Sequence, residues 1–168
     1  MNTHCETNLT TELLELTDTA SLPATSEPFA LSESFMRAPR IRFSVEFKKR
    51  FQGTVESPMA SLVLCRYKLL KIAHDAPIIE ELGGKKKVEG KIAAAFALLA
   101  RQGSGEPGFL QTNGFANIFY LRSQNRKGEL CAVRFGWEGA RWYVDAISVD
   151  DPYAWNGTHE IFAPDLAA

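Results

Sequence analysis

The stretch from Phe115 to Val149 constrains the fold more than any other part of the chain. Phe115, Asn117, Phe119 and Leu121 alternate with Ala116, Ile118, Tyr120 and Arg122. A polar turn, Gln124-Asn125-Arg126-Lys127-Gly128, separates this run from a second in which Cys131, Val133, Phe135 and Trp137 share a face. Glu138-Gly139 then leads into a third, where Trp142, Val144 and Ala146 alternate with Tyr143, Asp145 and Ile147. A period of two puts successive side chains on opposite faces of a strand, and aromatic and β-branched residues suit that pleated, half-buried surface. With glycine-bearing turns between the runs, the pattern predicts a β-meander over 115–149.

The rest of the chain is read around that meander. Ile41, Phe43, Val45 and Phe47 alternate with Arg42, Ser44 and Glu46, which predicts a strand over 41–47. Ser57-Pro58 has the form of an N-cap followed by proline at the first helical position. Met59, Leu62, Val63, Leu70 and Ala73 then recur at helical spacing, predicting a helix over 58–74. Asp75 caps a short continuation that Gly83-Gly84 stops. Val88, Ile92, Ala95, Phe96 and Leu99 mark a second full helix over 86–101, and a short strand is expected over 159–162. The expected architecture is an α+β fold: an antiparallel β-sheet, strand 41–47 plus the meander, with the two main helices packed on one face.

Residues 1–34 are expected to be a flexible acidic N-terminal arm or linker, with one folded domain over 35–168. The arm is rich in Thr, Ser, Ala and Pro and lacks sustained apolar periodicity. On that reading its deletion leaves the thermal transition nearly unchanged.

Composition is ordinary for a globular chain, 45% hydrophobic and 23% charged, and the net charge is −1. That small net charge hides segregation. Residues 1–36 hold six acids and no Lys or Arg, whereas residues 37–101 hold fourteen Lys or Arg against six acids. Residues 145–168 hold five acids and no bases. Lys48, Lys49 and Arg50 form one basic cluster and Lys85, Lys86 and Lys87 another; if they converge, they suit phosphates or an acidic surface. No apolar run approaches the roughly 20 residues that cross a bilayer, so no membrane partner is expected. No secretory signal is visible, and three cysteines at wide spacing read as reduced thiols in a cytoplasmic protein.

Catalytic and metal motifs are weak throughout. Gly83-Gly84-Lys85 lacks P-loop spacing, and Gly103-x-Gly105-x-x-Gly108 follows a helix where a dinucleotide motif follows a strand. Cys131, His159 and Asp145 or Asp151 could compose a nucleophilic set, but a cysteine between Leu130 and Ala132 reads as a small buried hydrophobe. No catalytic residue, metal site or cofactor is therefore expected, and the balance leans against an enzyme. The expected function is binding to another macromolecule, a protein partner first, gripped by Tyr153 and Trp155. The alternatives are a nucleic-acid-binding module using the basic 37–101 region, and a pocket enzyme or small-ligand-binding α+β domain.

Overall fold

The computed structural model describes residues 13–165. In chain order the elements are β1 (Leu14–Leu22), β2 (Phe29–Ala30), α1 (Glu33–Met36), β3 (Ile41–Phe43), α2 (Val45–Phe51), β4 (Val55–Glu56), β5 (Leu62–Leu69) and β6 (Ala73–His74). They continue with α3 (Asp75–Glu81), α4 (Lys85–Val88), α5 (Ile92–Arg101), β7 (Asn117–Arg122), β8 (Leu130–Trp137), β9 (Trp142–Ser148), β10 (Ala154–Trp155) and β11 (Glu160–Pro164). The fold is α+β and sheet-rich. Seven strands form one sheet in the order β1-β5-β11-β7-β8-β9-β3. The meander is present as β7-β8-β9, antiparallel throughout. The sheet as a whole is mixed, because β11 runs parallel to β7 and β3 runs parallel to β9.

Helices cover both faces, not one. On the first face, Leu64, Phe119, Leu121, Val133, Phe135, Trp142, Val144 and Phe162 join one apolar cluster with residues of α1, α2 and α5. On the second, Cys65, Tyr67, Leu69, Ile118, Tyr120, Ala132 and Ile161 join a separate cluster with α3, α4 and Trp155. Strands β5, β11 and β7 are thus buried on both sides. Such strands lose their alternation and read as continuous apolar runs.

This explains the largest correction. Residues 62–69 are a strand and not part of a helix over 58–74, since Leu64 packs into one cluster while Cys65, Tyr67 and Leu69 pack into the other. The strand expected over 41–47 ends at Phe43. Ser44 then caps α2 by accepting from Phe47 N (3.0 Å), and Phe43, Phe47 and Phe51 stack ring on ring at 5.3 and 4.8 Å. Every fourth residue being aromatic fits a helix as well as an alternating strand. The helix expected over 86–101 is two, α4 and α5, broken where Gly90 N donates to Tyr120 O (2.8 Å). Gly83 and Gly84, at φ 100° and 110°, do stop α3, as their left-handed backbone requires.

Residues 14–34 are built into the fold, against the expectation of a flexible arm. β1 pairs antiparallel with β5 from Leu14↔Leu69 to Leu22↔Leu62, with a bulge between Leu16 and Asp18. Leu14, Leu22 and Leu31 are buried. An edge strand faces water on one side, so its polar residues hide it from a periodicity search. The part of the expected arm over 1–12 lies outside the described residues. Cys65 is disulfide-bonded, so the expectation of three reduced thiols does not hold there, while Cys131 is a buried free thiol. Among the described residues no helix is long and apolar enough to cross a membrane.

Two outcomes follow from this packing. Deleting residues 1–33 strips β1 from the sheet, so the melting temperature should fall by many degrees in a thermal scan; an unchanged transition would contradict the pairing. Trp142 is 0% exposed and its Nε1–H donates to Gln102 O at 2.8 Å. Trp142→Ala should cost about 3–5 kcal/mol by chemical denaturation, and a change within about 0.5 kcal/mol, typical of surface positions, would contradict its burial.

Candidate functional site

A cleft of about 910 Å³ opens where α5 meets two stretches that arrive earlier in the chain. Its floor is one side of α5. Ala93, Ala97 and Ala100 stand at i, i+4 and i+7, a spacing that stacks them on one helical face, and Phe96 lies beside them. One wall is the segment 24–29 and the other runs from Phe35 through Ala38, Pro39 and Arg40 to Ile41. Small alanines leave the groove; larger residues at those positions would fill it.

Three rings fix the walls to the floor. Phe29 stacks on Phe96 with centroids 5.7 Å apart, Phe35 meets Phe96 edge-on at 5.3 Å, and Phe29 meets Phe35 edge-on at 5.6 Å. The wall 24–29 is held by backbone. Thr25 N donates to Met59 O (2.8 Å), Met59 N donates to Thr25 Oγ1 (2.7 Å), and Phe29 pairs with Glu56 in the β2–β4 ladder. Glu56 in turn caps α5, its carboxylate accepting from Ile92 N (2.9 Å) and Ala93 N (3.0 Å). A carboxylate there satisfies two free amides and complements the positive end of the helix. The opposite wall is tied to the sheet where Trp142 N donates to Arg40 O at 3.1 Å.

Two charged side chains line the cleft, Glu27 and Arg40. Both are exposed. Everything else along the groove is apolar, small or a hydroxyl side chain. Such a surface binds by excluding water from an apolar body and orients it with a few polar groups.

The residues expected to bind from sequence lie elsewhere. Trp155 is 0% exposed and its Nε1–H donates to Asp75 Oδ1 at 2.8 Å, so it offers no surface to a partner. Tyr153 is 41% exposed and its ring packs on Trp155 at 4.6 Å. Lys48, Lys49 and Arg50 sit on α2, where Lys49 pairs with Glu46 at 3.5 Å and Arg50 pairs with Glu46 and, at 3.3 Å, with Glu129. Lys85, Lys86 and Lys87 form α4, on the opposite face of the sheet. The β7–β8 hairpin touches both neighbourhoods. Asn125 Nδ2 donates to Gln52 O (2.9 Å) just after α2, and Arg122 pairs with Glu89 (3.1 Å) just after α4. Its tip adds the exposed Arg126 and Lys127.

The conceivable nucleophilic set does not assemble. Cys131 packs into the first apolar cluster, and burial beside Glu129 pushes its thiol up to about 12. His159 packs on Trp155, which belongs to the second cluster, at 5.4 Å. His159 Nδ1 accepts from Ala116 N (2.9 Å), and burial lowers its pKa. Among the described residues no group of three or more His, Cys, Asp or Glu could hold a metal ion.

One buried polar group needs explanation. Asp75, at the start of α3, is 1% exposed, and its Oδ1 accepts from both Tyr120 Oη and Trp155 Nε1 at 2.8 Å. Among the described residues its Oδ2 has no hydrogen-bond partner. The carboxyl therefore ties α3 to β7 and β10 inside the second cluster. Burial raises its pKa above the ordinary carboxylate range, outweighing the two donors.

No family model, curated protein or solved structure matches this chain.

Asp75→Ala should lower stability by about 2–5 kcal/mol, since it strands two buried donors. Asp75→Asn keeps an acceptor for both. Because the raised pKa favours the protonated carboxyl in the fold, its contribution is full below the ordinary carboxylate pKa and lost as pH rises through the folded value. Denaturation across pH 3–7 should therefore show Asp75→Asn gaining on wild type as pH rises; a gap that widens the other way would contradict the assignment.

Proposed function

We propose that this protein works as a non-catalytic binder of an apolar small molecule, held in the cleft between α5, the segment 24–29 and the Phe35–Ile41 wall. The observation that carries this reading is the cleft itself. Its volume of about 910 Å³ falls in the range of small-molecule sites, roughly 300–1,000 Å³. Its walls are pinned by backbone and ring contacts, so little ordering is needed on binding, which favours affinity.

The test is to fill the groove. Ala97 faces it and is only partly buried, so Ala97→Phe adds a ring to open space and not to the core. Binding of the neutral apolar dye Nile red, followed by fluorescence, should weaken about tenfold or more, a loss of about 1.4 kcal/mol. The melting temperature should stay close to wild type. Unchanged dye affinity in a folded Ala97→Phe protein would contradict the reading.

A second reading, nucleic-acid binding, is favoured by one observation. The exposed cations Lys48, Arg126 and Lys127 have no ion-pair partner among the described residues, while neighbouring Glu46, Glu89 and Glu129 are engaged with Lys49, Arg50 and Arg122. Binding to generic single- or double-stranded nucleic acid that falls steeply with salt, and that is lost when those three cations become Ala, would establish it.

A further inference from the structure

We infer that the ligand of the cleft carries a single carboxylate at one end of its apolar body, and that Arg40 receives it. This rests on the cleft being the binding site and adds the chemical class of what enters. The groove is lined by two charged side chains, and they are not equivalent. Arg40 is held at its backbone, where its carbonyl accepts from Trp142 N of the meander at 3.1 Å. Glu27 sits in a run over 23–28 that is exposed at every position and is held at Thr25. A guanidinium on a rigid wall loses less freedom on pairing than a carboxylate on an exposed strap.

Three other cations near Arg40 are already engaged, and the exposed Arg141, next to Trp142, does not line the cleft. Arg37 pairs with Glu33 one turn away on α1, and Arg101 Nη2 donates to Ser21 O at 3.4 Å. Arg42 pairs with Glu138 at 2.6 Å and lies 3.9 Å from the Tyr143 ring. Among the described residues no ion pair or hydrogen bond occupies the Arg40 side chain. That leaves a planar five-donor fork open on the wall of an apolar groove floored by Ala93, Phe96, Ala97 and Ala100. A guanidinium matches a carboxylate in two parallel hydrogen bonds, which both strengthens the pair and sets the ligand's direction. The complementary molecule is a monocarboxylic acid with an aliphatic or flat aromatic body.

Calorimetric titration of the full chain with decanoate and with decan-1-ol, at pH 7, separates this inference from the reading beneath it. Wild type should bind decanoate roughly tenfold or more tightly than the alcohol, the size of a charge-assisted hydrogen bond. Arg40→Met keeps the apolar stem and should erase that preference while leaving alcohol binding in place. Glu27→Gln, which removes the groove's acid, should keep the preference. If both probes bind wild type equally, or Arg40→Met still prefers decanoate, the carboxylate assignment fails and the apolar cleft stands. If neither probe binds wild type, both fail together.

Discussion

The five residues of β11 hold this fold together. Glu160–Pro164 enters the sheet between β5 and β7, antiparallel to one and parallel to the other. Without it the sheet separates into β1-β5 on one side and β7-β8-β9-β3 on the other. The strand joins the two apolar clusters as well as the two halves of the sheet. Phe162 stacks on Phe119 at 4.6 Å within the first cluster, while Ile161 and Ala163 pack into the second. The last described strand of the chain thus lies inside the sheet, next to its middle strand β7. Pairing β11 with β5 closes a long loop, from Glu160↔Lys68 to Pro164↔Leu64, and costs more chain entropy than closing a hairpin.

The candidate site grows from the face that β11 helps to build. α5 lies on that face with Ile92, Ala94, Ala95, Leu98 and Leu99 buried. Its other side would be open to water but for the two-residue β2–β4 ladder and α1. Glu56 couples the pieces: it pairs with Phe29 in the ladder and caps the amides of Ile92 and Ala93. The residue that starts the helix therefore sets the ring that closes over it. Glu56 thus touches both the Phe29 wall, through the backbone ladder, and the start of the alanine floor, through its carboxylate.

The meander was legible because each of its strands carries alternation and its turns carry glycine. β5 was not, since burial on both faces removes the very period that marks a strand, and its apolar spacing happens to fit a helix. β1 failed for the opposite reason. An edge strand such as Leu14–Leu22 keeps Glu15, Thr17, Asp18 and Thr19 in water and reads as an unstructured polar segment. Trp155 shows how an aromatic in a Pro- and Gly-bearing segment can be mistaken for a partner anchor; its buried bond to Asp75 spans 80 positions and leaves no local trace. The cleft was illegible as a whole. It is assembled from 24–29, 35–41 and 93–103, and its floor is marked only by three alanines at helical spacing.

On the proposed reading this cleft is where the protein meets its ligand. A titration of the isotope-labelled chain with decanoate, followed by backbone amide shifts, addresses it residue by residue. Saturable shifts should be confined to residues 24–29, 35–41 and 93–103, with the meander hairpin around Arg126 and Lys127 unmoved. Saturable shifts centred on that hairpin or on Tyr153, with the groove silent, would contradict it.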